Sequence, residues 1–278
     1  MRRVREALAV LRERLAKTST SPDLDAAILV ADALAVSRAA LEADPDRPLA
    51  PAEAARLETL AARRAAGEPL AYLTGRREFW SLELEITPDV LVPRPETELL
   101  VAWCLEAIAG RRRPAVLDLG TGSGAIALAL ARERPDAQVT AVDSSAAALA
   151  LAARNAARHG LPNLRFVAGD WFAPIGEEKF DAIVSNPPYV APDDPALAAL
   201  SHEPRAALVA GDDGLADLAA ICNGAPARLT GAGCLIVEHG ALQGAAVREL
   251  MAQSGLADAE TRRDLAGRER ATRGNRAR

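Results

Sequence analysis

Two short segments of this chain carry residue types and spacings suited to chemistry. The first is Val116-Leu117-Asp118-Leu119-Gly120-Thr121-Gly122-Ser123-Gly124-Ala125-Ile126, an apolar run closed by a G-x-G-x-G loop that opens into helix-forming residues. Glycines at such a turn let the backbone bend tightly and approach a ligand closely. The spacing is not the G-x-G-x-x-G of dinucleotide sites. Asp118, just before the turn, would repel a pyrophosphate but suits a cationic or amino-bearing ligand. That is the pattern of sites for S-adenosylmethionine, whose amino-acid part lies over the loop. Asp143 closes the run Thr140-Ala141-Val142-Asp143, where a carboxylate accepts hydrogen bonds from both ribose hydroxyls. The same residue could instead cap a helix starting near Ser144. Trp171 follows Gly169-Asp170, and in a chain with only 3% aromatic residues it is a candidate to stack on an adenine ring, with core packing as the alternative.

The second segment is Ser185-Asn186-Pro187-Pro188-Tyr189, directly after the apolar run that begins at Phe180. Each proline fixes its own backbone and pushes the residue before it toward an extended conformation, so the Asn186 side chain is aimed. Its carbonyl oxygen and the Pro187 backbone carbonyl make a pair of acceptors. Such a pair fits an –NH₂ group on a planar carbon, an amide or an exocyclic base amine. Two accepted hydrogen bonds orient that nitrogen toward a methyl donor, and Tyr189 can lie against its flat face. No metal is required. His159, His202 and His239 are scattered and receive no catalytic role.

Strands and helices must hold these segments in place. From residue 114 onward, strand-like runs at Ala115–Leu119, Gln138–Val142, Leu164–Val167, Phe180–Ser185 and Cys234–Glu238 alternate with helical stretches after Gly124, Ser144, Asp213 and Gln243. This rhythm predicts an α/β fold with a parallel sheet covered on both faces, its ligands at the carboxyl ends of the strands. Residues 75–93 change period. Leu82 to Ile86 alternates strictly, Thr87-Pro88-Asp89 reads as a turn and Val90-Leu91-Val92 as a second strand, which predicts a hairpin linker. Pro93-Arg94-Pro95-Glu96-Thr97-Glu98 has the proline and acidic residues of a helix start. Residues 1–74 read as successive helices: Val4, Leu8, Leu11 and Leu15 recur at helical spacing, Ser21-Pro22-Asp23 and Pro51-Ala52-Glu53 open further helices, and Gly67 stops the last of these. This bundle has no catalytic character and suits the docking of a partner or substrate. Arg268 to Arg278, Arg-rich and Gly-containing, is expected to fray.

Composition narrows the classes. At about 150 residues per domain, 278 residues make one large domain or two smaller ones. A net charge of −5 argues against bulk nucleic-acid binding, which needs a basic face to displace counterions. Only Lys17 and Lys179 are lysines, a compositional bias without functional content. Cys104, Cys222 and Cys234 lack the spacing of a disulfide framework or a zinc site. The first residues carry charges throughout and no apolar stretch of a signal peptide, and no run approaches the roughly 20 apolar residues of a membrane span. A soluble cytoplasmic protein is expected.

The combination resembles the peptide chain release factor glutamine methyltransferases, bacterial enzymes that N5-methylate the Gln of the release factors' Gly-Gly-Gln loop. The resemblance spans nearly the whole chain. It runs through Pro69 to Gly75, Glu78-Phe79-Trp80, Pro93 to Glu98, Asp118 to Gly124, Asn186 to Tyr189, Glu203-Pro204, Gly211 to Leu215 and Glu238-His239-Gly240. It implies a Rossmann-like class I SAM-dependent methyltransferase sheet over 94–278, a β-hairpin linker over 75–93 and a helical release-factor-docking domain over 1–74. Gly120, Thr121, Gly122, Ser123 and Gly124 would line S-adenosylmethionine, with Asp143 on the ribose, Trp171 beside the adenine and Asn186 at the junction with substrate. Asn186, Pro187, Pro188 and Tyr189 would hold the glutamine, Asn186 and Pro187 acting on its nitrogen. The partners implied are release factors, with no membrane and no direct nucleic acid. One alternative is an N6-adenine DNA or RNA methyltransferase, since N-P-P-Y serves an aromatic amine as well as an amide. Against it stand the net acidity and the lack of a basic, aromatic-interleaved recognition domain. The other alternative, a non-catalytic SAM-binding scaffold, would be favoured by loss of Asn186 or its prolines, and both motifs are intact.

Overall fold

A computed structural model describes residues 3–277, and the chain divides between Arg76 and Arg77 into two compact units. The first unit is helical: α1 Val4–Leu15, α2 Pro22–Ala33, α3 Arg38–Ala43, α4 Pro51–Ala65 and α5 Leu70–Thr74. Val4, Ala7, Leu11 and Leu15 line the buried face of α1, one residue per turn. They pack with Leu29, Leu34, Leu41, Leu49, Leu57 and Leu60 in one apolar core. Helix starts follow local chemistry: Pro22 and Pro51 stand in first turns, the Glu53 carboxylate accepts the Ala50 N–H at 2.9 Å, and Ser37 Oγ accepts from Ala40 N.

The boundary with the second unit falls within strand β1, Arg76–Phe79, which pairs with β2, Leu82–Glu85. The two-residue connection Trp80-Ser81 has φ of +51° and +57°, the left-handed pair that a tight hairpin turn demands. This corrects the predicted hairpin. The strand at 82–85 finds its partner on its amino-terminal side. Val90–Val92 forms no strand: the Val92 N–H goes to Glu203 Oε2 at 3.1 Å. Leu82, Leu84 and Ile86 are buried, as the alternation requires.

The rest runs α6 Glu98–Ile108, β3 Ala115–Leu119, α7 Ala125–Glu133, β4 Gln138–Asp143, α8 Ala146–Arg158, β5 Leu164–Ala168, β6 Phe180–Ser185, α9 Ala216–Gly224, β7 Leu229–Glu238, α10 Gly244–Gln253, β8 Leu256–Arg263 and β9 Glu269–Arg276. The strands form one sheet in the order β5-β4-β3-β6-β7-β9-β8. From β5 to β7 all pairs are parallel, while β9 runs antiparallel between β7 and β8. The sheet is therefore mixed, not purely parallel.

The predicted fraying of the tail is also corrected: 269–276 is an interior strand. Ala271 and Thr272 are fully buried, and the arginines meet acceptors. Arg273 pairs with Glu260 at 2.6 Å, Arg270 with Asp264 at 3.6 Å, and Arg276 donates to the Leu229 carbonyl. Arginine stems cover apolar surface while their heads are neutralised. The Arg262 and Arg273 guanidinium carbons lie 4.3 and 5.2 Å from the centre of the buried Trp103 ring.

Candidate active site

Strand order reverses between β3 and β6, and a crevice opens at such a switch point outside the strands' carboxyl ends. The pairing of Leu119 with Ser185 sets the last residues of β3 and β6 side by side. Ser185 Oγ donates to the Leu119 carbonyl at 2.7 Å. Each strand then delivers one of the two motifs, so the Gly loop and N-P-P-Y leave the sheet as neighbours.

The loop is held from below by backbone bonds. Gly120 N and Thr121 N both donate to the Val142 carbonyl, at 2.9 and 3.0 Å. Gly124 has φ +86°, and a Cβ there would come within 2.4 Å of Leu128 Cδ1 and 3.1 Å of Ala152 Cβ, so glycine is required. Asn155, fully buried in α8, pins the neighbourhood: Nδ2 donates to the carbonyls of Ser123 and Glu85, each at 3.0 Å, and Oδ1 accepts from Glu85 N at 2.7 Å. Asp118 does not line the crevice. It is fully buried, Oδ2 accepts the Thr121 hydroxyl at 2.7 Å, and burial pushes it up to about 7, with Thr121 pulling against that shift.

Asp143 makes two hydrogen bonds that neither sequence reading anticipated. Oδ2 accepts from Gly122 N and Oδ1 from Ser145 N, both at 2.8 Å, while the cap of α8 comes from Ser145, whose Oγ accepts Ala148 N. The carboxylate thus ties the Gly loop to the start of the next helix at the edge of the crevice. Trp171, in a left-handed conformation with φ +40°, packs against Gly120, where a Cβ would lie 3.4 Å from the indole ring.

These residues surround a cavity of about 410 Å³. Gly120, Thr121, Gly122, Ser123, Asp143, Trp171, Asn186 and Pro188 all line it; Gly124, Pro187 and Tyr189 are not among the lining residues. Its charged lining consists of Asp89, Asp143, Asp170 and Asp217, with no lysine, arginine or histidine among the described residues. Burial, and then the nearby Asp170, push Asp217 up.

Behind Asn186 lies a buried polar chain absent from the sequence reading of the site. Asn186 Nδ2 donates to Thr97 Oγ1 at 3.2 Å, and Thr97 Oγ1 donates to Glu238 Oε2 at 2.7 Å. The Tyr189 hydroxyl donates to Glu238 Oε1 at 3.0 Å, so Tyr189 is anchored away from the cavity. Burial pushes Glu238 up, against the pull of the Thr97 and Tyr189 hydrogen bonds. Tyr189 is pushed up by burial and then by the Glu238 charge. Thr97 was legible only as part of a helix start, and Asp217 was not singled out at all. Ala206 and Ala207, also on the wall, carry no chemical signal at all.

Sheet order, loop and anionic crevice together define a class I methyltransferase of Rossmann-like fold. Residues 96–211 match the family described as methyltransferase small domain, and residues 6–75 match the PrmC N-terminal domain. The release factor glutamine methyltransferase of Burkholderia pseudomallei is 54% identical over 94% of this chain and 94% of its own length. That of Bordetella pertussis is 50% identical over 96% of this chain and 99% of its own. The chain belongs to the release factor glutamine methyltransferases. In fold it resembles the Thermus thermophilus 16S rRNA N2 G1207 methyltransferase, with a TM-score of 0.56, 21% identity and coverage of 73% of this chain and 50% of that one. No helix among the described residues is long and apolar enough to cross a membrane, and no group of three or more His, Cys, Asp or Glu among them is placed to hold a metal ion.

Proposed function

We propose that this chain methylates the side-chain amide nitrogen, N5, of the glutamine in the Gly-Gly-Gln loop of peptide chain release factors, with S-adenosylmethionine as donor, and so modulates translation termination. The observation that carries this reading is the meeting of Asn186 and the Gly loop in one cavity lined by Asp89, Asp143, Asp170 and Asp217 and by no cation. Such a lining fits a ligand that bears a sulfonium and an ammonium group, and it opposes phosphate, which disfavours the adenine-methylating alternative. Gly120, Thr121, Gly122 and Ser123 would form the floor for the donor, with Gly124 shaping the turn behind them. Asp143 would take the ribose hydroxyls and Trp171 would stand beside the adenine. The match of the amino-terminal helices to the PrmC N-terminal domain supports assigning residues 1–74 to release-factor docking.

An amide nitrogen is a poor nucleophile because its lone pair is delocalised into the carbonyl. Asn186 Oδ1, on the cavity wall, and with substrate bound the Pro187 carbonyl next to it in the chain, would accept the two N–H bonds, orient the nitrogen and favour its pyramidalisation. The donor supplies a methyl group whose C–S bonding pair leaves with sulfur as the new C–N bond forms. Positive charge growing on nitrogen meets the same fixed oxygens, which stabilises the transition state more than the ground state. One amide proton then passes to water, leaving the neutral methylamide.

The test is incubation with methyl-labelled S-adenosylmethionine and, separately, release factor, a variant with alanine for the loop glutamine, and duplex DNA. Mass spectrometry then locates the label. A single methyl on the loop glutamine, missing from the variant and from DNA, is the expected result; label on adenine would overturn the choice of substrate.

A further inference from the structure

Asparagine presents two nearly isosteric ends, a carbonyl and an amino group, and only the carbonyl can accept from a substrate amide. Shape alone does not choose between them, so the polarity of the neighbours must. Glu238 lies at the carboxyl end of β7, where Ser185 pairs with Val237, and it therefore stands level with the start of N-P-P-Y. Thr97 sits in the turn Pro95–Thr97 ahead of α6. Both are buried, at 1% and 3% exposure. Glu238 makes no ion pair among the described residues: the arginine that exerts a charge on it, Arg270, is committed to Asp264 and the His239 carbonyl. A buried carboxylate without a partner cation is costly to retain, and an apolar residue of similar size would fill the volume at lower cost.

We propose that Thr97 and Glu238 are positioning residues for methyl transfer, fixing which end of the Asn186 amide faces the substrate. This rests on the reading of Asn186 as the acceptor of the glutamine N–H. The Thr97 hydroxyl donates to Glu238 Oε2 at 2.7 Å and the Tyr189 hydroxyl to Oε1 at 3.0 Å, two hydrogen bonds that favour the carboxylate, which can only accept, over its acid. The Thr97 oxygen, its proton committed, is left as an acceptor and takes Asn186 Nδ2 at 3.2 Å. Oδ1 is thereby turned away from Thr97 and toward the cavity that Asn186 lines. The order of donors is set at the buried carboxylate and read out at the amide.

The test uses the full chain with S-adenosylmethionine and release factor, comparing T97V, T97S, E238Q, the T97V/E238Q double variant and N186A. Donor affinity is measured by calorimetry, and rates are taken well below each variant's melting temperature. T97V keeps the volume of the side chain and loses the hydroxyl. Its kcat should fall by up to about tenfold, the net worth of one hydrogen bond, with donor affinity within about twofold. T97S, which restores the hydroxyl, should stay within about threefold of wild type. E238Q should lower kcat alone and add nothing in the T97V background, because both act through one hydroxyl. T97V at the wild-type rate beside an inactive N186A would overturn the relay and leave the acceptor reading intact. So would a T97S loss as large as that of T97V, E238Q at the wild-type rate, or additive losses in the double variant. An active N186A would overturn the acceptor reading itself and the relay with it.

Discussion

The two units handle polar groups in opposite ways. In the helical unit charges stay outside: Arg14 meets Glu58, Arg56 meets Asp32, Arg3 meets Asp46 and Arg63 meets Glu68, each pair with at least one half-exposed partner. Asp25 with Arg64 is more enclosed, at 7% and 16% side-chain exposure, and Glu53 with Arg47 is intermediate, at 20% and 36%. The second unit buries Thr97, Asp118, Asn155, Ser185, Glu238 and His239, and gives them directional partners near the carboxyl ends of its strands. A helical bundle is held by apolar periodicity alone and needs no polar interior. Buried polar groups cost stability unless paired. Their concentration in one unit marks the place where direction, not mere cohesion, is required.

If direction is what the second unit supplies, removing the directed group at its centre should have the largest effect. Asn186→Ala should lower kcat by about 10²- to 10³-fold, the loss seen when one fixed dipole at a reacting centre is deleted, while leaving the donor Kd within a few-fold. A parallel collapse of donor affinity in calorimetry would make Asn186 a cofactor residue instead. Next in size is Asp143→Ala. Loss of a charged acceptor for the ribose, together with its hold on Gly122 N, should weaken donor binding by about 10- to 100-fold. An unchanged Kd would remove Asp143 from the donor site.

Asp118 gives the comparison a pH axis. Its carboxyl rises from an ordinary 3.8 to about 7 in the fold, so between those values the folded chain holds a proton that the unfolded chain does not. Its contribution to stability is therefore present below pH 4 and lost as pH rises through 7. His239, lowered by burial, acts with the opposite sign, its contribution being present above 6.5 and lost as pH falls. Asp118→Asn keeps an acceptor for Thr121 and cannot ionise, and the difference between variant and wild type cancels His239. The variant should be more stable by on the order of 4 kcal/mol at pH 8 and nearly equal at pH 4, by urea unfolding. A difference independent of pH would show that Asp118 is accommodated as an ion.

What was legible in the chain follows the range of the forces involved. The Gly loop and N-P-P-Y are local: the backbone freedom of Gly124 and the rigidity of Pro187-Pro188 are properties of adjacent residues, and the parallel strands announce themselves as apolar runs. Thr97 and Glu238 are separated by 141 residues, and the contact between them exists only after α6 and β7 are in place. No spacing rule could join them. The hairpin was misplaced because Trp80-Ser81 takes positive φ without glycine or asparagine, so its turn had no signal. The last strand was hidden by its arginines, which read as solvated charge until Glu260, Asp264 and Trp103 supply partners from distant parts of the chain.

The smallest expected effect lies on the surface of the helical unit, and it is the sharpest way to break the contrast. Arg14 and Glu58 join α1 to α4 across 44 residues of sequence, with side-chain exposures of 34% and 61%. Their attraction is screened by water and salt, and holding two long side chains in one geometry costs rotamer entropy. Meanwhile Leu11 and Leu15 on the same helix are buried in the apolar core and do not depend on the arginine for their packing partners. Arg14→Ala should therefore change stability by no more than about 0.5 kcal/mol in urea unfolding, with the remaining effect shrinking further in 1 M salt. A loss above about 1.5 kcal/mol, or one that salt does not diminish, would mean that this unit too depends on directed polar contacts. The division of labour between apolar cohesion in one unit and polar direction in the other would then fail at its weakest point.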